Sequence, residues 1–295
     1  MRTETSRSRT SDWVSALRAL YSEAPADLSV VDDSVALMLL PRGLRGALRV
    51  CTAVPLGTRA LHRVLGGVSL GLTYGVPLRT AAIDARVRRD VRRGVRQLVL
   101  LGAGLDARAW RMPELEHSVV YELDHPATQA FKRERIQGTA ALARDVRFAP
   151  VDFERDGLAS ALERVGFRRD EPGIWVWEGV SMYLSREAVD HTLDAVAELA
   201  APESTLAMTY VPPNYAARWL KAVGRAAFLG IGEPLNAELE PAELARQLSE
   251  LGFRVDADDT ALEWAREYWP EREARRVRAW ERLAVATKAQ PSSIS

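Results

Sequence analysis

The chain has 295 residues, 47% hydrophobic and 27% charged, enough for one large folded domain or a domain with a cap. Forty basic and forty acidic residues give a formal net charge of zero, so no bulk electrostatic signal points to nucleic acid. A single cysteine excludes an internal disulfide framework and a cysteine-based metal cluster.

Residues 1–10 are polar, lack the apolar core of a secretory signal, and are expected to be disordered. Trp13 to Tyr21 carries apolar residues at helical spacing, and Asp32-Asp33-Ser34 precedes a second short helix from Val35 to Leu40. The apolar stretch from Leu37 to Leu72 is interrupted by prolines and arginines. No membrane span is expected, and the chain reads as cytoplasmic. Cys51, within it, reads as a small buried apolar residue. Residues 1–75 show no strand-like alternation and are read as an N-terminal helical cap; residues 76–295 are read as the main domain. Gly71 to Pro77 is a turn-rich connection, and Arg79 to Arg93 a helix with Ala82, Ile83, Val87 and Val91 on one face. Arg79 stands at its start, where it can face a cleft.

Leu98 to Leu101, four apolar residues followed by Gly102-Ala103-Gly104, read as a strand buried on both faces and ending in a turn that a ligand can approach. Asp106 to Arg111 follows as a helix, then a second strand, Ser118 to Asp124, and a helix from Pro126 to Gln137. Further strands are expected at Val146–Val151, Gly173–Trp177, Ser204–Tyr210, Phe253–Val255 and Leu283–Thr287. Helices are expected at Leu158–Val165, Arg186–Leu199, Ala242–Leu251 and Ala261–Ala279, the last interrupted at Trp269-Pro270. The alternation argues a doubly wound α/β sheet of seven strands, with a helical insertion at about residues 214–240.

Three strands end in acids: Asp124, Asp152 and Glu178. Strand ends on one side of a parallel sheet converge on one crevice. Asp124 lies about twenty residues after the glycine turn, the spacing at which a carboxylate reaches a ribose. Asp152 suits an adenine amino group, although such acids also cap helices. Gly102-x-Gly104-x-x-Ala107 taken alone also fits a dinucleotide fingerprint. His62, His117, His125 and His191 show no metal spacing, and no metal site is expected.

Several stretches together resemble the leucine carboxyl methyltransferase family of class I S-adenosylmethionine-dependent methyltransferases. They are Pro77-Leu78-Arg79-Thr80 with Ile83-Asp84, Leu101-Gly-Ala-Gly-Leu-Asp-Ala-Arg-Ala-Trp-Arg111, Tyr121-Glu-Leu-Asp-His-Pro126, Val151-Asp-Phe-Glu-Arg-Asp156 and Glu178-Gly-Val-Ser-Met-Tyr-Leu184. A weaker echo is Asp33-Ser-Val-Ala36. The resemblance implies a Rossmann-like methyltransferase sheet that binds S-adenosylmethionine. It puts Arg79 on the methionine carboxylate, Gly102 and Gly104 along the methionine portion, Asp124 on the ribose, Asp152 and Phe153 at the adenine, and Glu178 near the amino group. Ala103, Asp106, Glu122, His125 and Gly179 complete the expected cofactor-binding set. Ala107 stands where the family often has threonine, and His125 where apolar residues are common.

The expected reaction is methyl transfer to a carboxylate of a small, apolar, polyketide-like acceptor, which requires no general base. Transfer to a phenol or hydroxyl would need one, making His125 and His191 candidates. Tyr183, Tyr210 and Tyr74 are candidates for orienting an acceptor oxygen. The rival classes are a nicotinamide-dependent oxidoreductase and a non-catalytic binding module. The apolar cap favours a small acceptor over a protein partner, and a homodimer through that face stays open.

Overall fold

The computed structural model describes residues 9–53, 55–69, 71–215 and 235–290. Four helices come first: α1 (Arg9–Ser22), α2 (Ser34–Leu39), α3 (Arg42–Thr52) and α4 (Pro55–Val68). Asp33 starts α2 by accepting the Ala36 N–H at 2.9 Å, which satisfies one orphan donor of the first turn. Leu48 anchors α3, and beyond it Arg49, Val50 and Cys51 are exposed. Cys51 is therefore a surface thiol rather than the buried residue its type suggested: the end of α3 runs past Leu48, its last buried residue.

Helix α5 (Gly75–Arg92) starts four residues earlier than the apolar spacing implied. Pro77 falls in its first turn, where the missing N–H breaks no helical bond. Arg79 consequently lies one turn inside the helix and is buried.

The sheet has seven strands: β1 (Gln97–Leu101), β2 (Val119–Asp124), β3 (Asp145–Pro150), β4 (Gly173–Trp177), β5 (Thr205–Tyr210), β6 (Phe253–Thr260) and β7 (Arg282–Lys288). Their order is β3-β2-β1-β4-β5-β7-β6. Strands β1 to β5 run parallel, and β7 inserts antiparallel between β5 and β6. The connecting helices are α6 (Arg108–Arg111), α7 (Pro126–Ile136), α8 (Leu158–Arg164), α9 (Arg186–Leu199), α10 (Pro241–Glu250), α11 (Ala261–Tyr268) and α12 (Glu271–Ala274). Leu98 and Leu100 pack into one core with α5 and α11, while Val99 and Leu101 pack into another with α8, α9 and α10. This two-sided burial explains why β1 reads as continuous apolar sequence. Most of the expected insertion, residues 216–234, lies outside the described residues.

Candidate functional site

Strand order reverses between β1, which continues to β2, and β4, which continues to β5. A cavity of about 450 Å³ opens at the carboxyl ends of these strands, the position such sheets use for ligands. It is lined by the turn Gly102–Asp106, by Asp124, His125, Asp152 and Phe153, and by Glu178, Gly179 and Tyr183. Arg79 of α5 and Ser11, Val14 and Arg18 of α1 close it.

The glycine turn is held by the end of β2. The N–H groups of Gly102 and Ala103 both donate to the Leu123 carbonyl, at 2.8 and 2.9 Å. The Gly104 N–H donates to Asp124 Oδ2 at 2.5 Å and the His125 N–H to Oδ1 at 2.6 Å, so the Asp124 carboxylate is oriented before any ligand arrives. Gly102 has φ +70°, and a Cβ there would come 2.5 Å from Val180 Cγ2; only glycine fits.

The cavity gathers Arg79, Gly102, Ala103, Gly104, Asp106, Asp124, His125, Asp152, Phe153, Glu178, Gly179 and Tyr183, but not every residue singled out in the sequence. Glu122 is two residues back along β2, roughly 7 Å below the rim at the usual rise per residue. It lies under α7, where Lys132 Nζ meets Oε2 at 2.6 Å, and neither residue lines the cavity. Burial pushes the Glu122 carboxyl up to about 7, against the pull of Lys132. Tyr210 points toward the antiparallel edge and donates to Asp258 Oδ2 at 2.8 Å; burial, reinforced by Asp258, raises its phenol. Tyr74 donates to the His62 carbonyl at 3.1 Å among the N-terminal helices, and His191 on α9 does not reach the cavity. Asp152 accepts the Glu154 N–H at 3.1 Å, so it fixes its own turn while lining the cavity.

Beside the glycine turn runs a buried chain of alternating charge that sequence reasoning did not assemble. Glu281, Glu178, Asp106, Asp84 and Asp33, five carboxylates, are linked through Arg79, Arg108, Arg111 and Arg18, four guanidiniums. Arg79 Nε donates to Glu178 Oε1 at 3.0 Å, and Arg108 Nη2 donates to Glu178 Oε2 at 2.8 Å. Burial opposes ionisation of Glu178, yet Arg108 and Arg79 outweigh it and hold the carboxyl well below its usual range. The chain has one carboxylate too many, and Nη2 of Arg79 has no acceptor among the described residues. A ligand carrying net positive charge and one carboxylate would balance both, which fits the methionine end of a sulfonium cofactor.

The turn does not suit a dinucleotide. The helix after it, α6, has four residues, and the Asp106 carboxylate already takes the Arg108 N–H at 2.7 Å. The glycine turn therefore does not lead into a long helix whose N-terminus would hold a pyrophosphate, and the surplus carboxylate would repel one.

Among known proteins, the model of the leucine carboxyl methyltransferase family matches residues 12–197. A protein of Mycobacterium sp. (strain JLS), provisionally named an S-adenosyl-L-methionine-dependent methyltransferase, is 35% identical over 263 residues, covering 84% of each chain. A protein of the same provisional name from Mycolicibacterium gilvum (strain PYR-GCK) is 44% identical over 139 residues; that match spans 47% of this chain and 45% of the relative. In fold, the crystal structure of a provisionally named methyltransferase from Thermobifida fusca YX superposes with a TM-score of 0.59 at 15% identity, over 96% of this chain and 98% of that one. A DUF574 family protein from Streptomyces avermitilis MA-4680 gives a TM-score of 0.55 at 17% identity, over 72% and 85%.

Proposed function

The chain belongs to the leucine carboxyl methyltransferase family and is an S-adenosylmethionine-dependent methyltransferase, and on that premise we propose that it methylates a carboxylate oxygen of a small, largely apolar acceptor. S-adenosylmethionine supplies an electrophilic methyl group on sulfur. The residues around it have to align an acceptor oxygen in line with that bond and exclude water. We assign Arg79 to the cofactor's carboxylate, Glu178 to its ammonium, Asp124 to the ribose hydroxyls, and Asp152 with Phe153 to the adenine. Arg79 offers a single free edge, Nη2, because Glu178 and Glu281 occupy Nε and Nη1.

One observation carries the choice of acceptor. His125 is the only histidine lining the cavity among the described residues, and its Nδ1 already accepts the Ala127 N–H at 3.3 Å. A phenol or alcohol must lose a proton on transfer, whereas a carboxylate is ionised at neutral pH and needs no base. Val14, Val180 and Leu184 on the cavity wall support an apolar acceptor. Tyr183, at the same wall, is the candidate for orienting its oxygen.

The test has two stages. Calorimetric titration with S-adenosylmethionine, NADH and NADPH should show binding of the sulfonium cofactor alone; binding of a nicotinamide would reject the assignment of the cavity. Incubation of the loaded enzyme with panels of apolar carboxylic acids and phenols, read by a 14 Da mass gain on the order of one methylene, should give esters. Ethers without esters would reject the carboxylate acceptor.

A further inference from the structure

Glu281, just before β7, has a fully buried side chain and belongs to no motif read in the sequence. Both of its oxygens accept from Arg79 Nη1, at 2.8 and 2.9 Å. Three groups bear on this carboxylate. Arg79 reaches it from α5, Glu178 from the loop after β4, and the Thr209 hydroxyl from β5, while its neighbour Arg282 turns away to Asp258 at 3.0 Å. Two carboxylates thus draw on one guanidinium. Glu178 has a second arginine in Arg108; among the described residues Glu281 has none besides Arg79. The remaining nitrogen, Nη2, lies against Gly179, where a Cβ would come within 2.7 Å of it. Arg79 and Gly179 both line the cavity.

We propose that Glu281 is a positioning residue for cofactor binding: it holds Arg79 by Nη1 so that the Nη2 edge meets the ligand carboxylate, and it takes up a proton when that carboxylate arrives. The inference rests on the assignment of Arg79 to the cofactor's carboxylate. The balance that matters is local to Arg79, because the ligand's ammonium is assigned to Glu178. The ligand brings a third carboxylate to one buried guanidinium, and a proton from solvent cancels the charge of the acid with the weakest hold on a cation. Glu178 keeps Arg108 and stays ionised. Burial and the nearby Glu178 already push the Glu281 carboxyl up, against Arg79. Once protonated, Glu281 still offers an oxygen to Nη1, so the arginine stays in place.

The experiment is calorimetry of the full chain with S-adenosylmethionine between pH 6 and 9, repeated at pH 7.5 in buffers of different ionisation enthalpy. Glu281→Gln keeps an acceptor oxygen and removes the charge. Every other titrating group is common to both proteins, so the difference between them isolates Glu281. Wild type should take up more protons than the variant, and its affinity should fall faster with pH, by a difference approaching tenfold per unit where Glu281 is ionised in the free protein. Identical pH profiles would overturn the proposal. A second comparison needs no variant: decarboxylated S-adenosylmethionine retains the amine and the sulfonium but lacks the carboxylate. Wild type should take up fewer protons with it; equal uptake overturns the role of Glu281 alone. Failure of wild type to bind either ligand overturns the cofactor assignment as well.

Discussion

Two buried polar clusters in this molecule use similar side chains and end differently. Among the N-terminal helices, Tyr21 donates to His62 Nδ1 at 2.7 Å, and His62 Nε2 meets Glu273 Oε2 at 3.2 Å. Tyr74 stacks on His62 with centroids 4.6 Å apart, and Trp269 donates to the Leu28 carbonyl at 3.0 Å. None of these residues reaches the cavity. The charge chain from Glu281 to Arg18 is just as buried but opens onto the cavity at Arg79, Asp106, Glu178 and Arg18. A titratable side chain is available to a ligand only where its protein partners run out. The aromatic cluster closes on itself; the charge chain does not.

The largest expected effect comes from breaking the open cluster. Arg79→Ala leaves Glu178 and Glu281 short of a cation and should cost about 3–5 kcal/mol of stability. It should also abolish measurable cofactor binding in the protein that remains folded. Denaturant titration and calorimetry read the two effects separately; unchanged affinity would remove Arg79 from the site. Trp269→Ala should cost a similar amount, about 3–5 kcal/mol, by emptying the closed cluster. Its cofactor affinity should stay within about twofold of wild type, since the closed cluster carries no ligand. A large loss of affinity at unchanged stability would show that the two clusters are coupled.

The contrast also explains what the sequence made legible. The strands were readable because burial on both faces, or on one, leaves an apolar run or an alternation bounded by turns; β6 was readable only at its start, Phe253 to Val255, because its continuation to Thr260 is mostly acidic. The acids Asp124, Asp152 and Glu178 were readable because each ends such a run, and the structure brings all three to the cavity. Glu122 looked equivalent to Asp124, but a two-residue setback along a strand places it beneath α7, and only the helix's position decides that. Tyr210 ends β5, yet its ring belongs to the core on the α9 side, and its hydroxyl faces Asp258 across the sheet edge. Glu281 and Arg108 were not legible, because pairing across 202 and 70 positions of chain leaves no local pattern. The only available signal was a charged residue between Trp280 and the apolar run of β7. Helix α6 starts at Arg108, two residues later than the pattern from Asp106 to Arg111 implies, because the Asp106 carboxylate takes the Arg108 N–H.

A smaller effect separates positioning from support within the open cluster. Asp124→Asn keeps the side-chain shape but removes the charge and leaves one acceptor oxygen for the Gly104 and His125 N–H groups. It should weaken cofactor binding by about tenfold or more, the usual worth of a hydrogen bond to a charged group. An unaltered dissociation constant would sink the ribose assignment. The closed cluster should instead answer to pH. Burial depresses the His62 pKa, outweighing Glu273. The unfolded chain takes up a proton near pH 6.5 while the folded chain still resists it, so stability present at neutral pH is lost as pH falls below about 6.5. Urea midpoints at pH 7.5 and 5.5 should drop less in His62→Gln than in wild type. Equal drops would place the acid sensitivity in other groups.

The smallest expected effect is the most informative about chemistry. His125 precedes α7 as its capping residue, with φ −56° and ψ 137°, and its Nδ1 lone pair faces the Ala127 N–H at 3.3 Å. A general base in that position would give up the cap to accept a proton, at a cost of about 1 kcal/mol to the helix. His191 projects from α9 and does not line the cavity. If the acceptor is a carboxylate, His125→Ala and His191→Ala should leave the single-turnover rate within about twofold of wild type, with His125→Ala slightly less stable through the lost cap. A hundredfold loss in His125→Ala at unchanged cofactor affinity lies within the usual range for removing a general base. That outcome would mean the acceptor arrives protonated, and the ester-forming reading would give way to an ether-forming one. The cap is what makes the two outcomes distinguishable: a structural histidine loses stability without rate, a catalytic one loses rate beyond anything its cap explains.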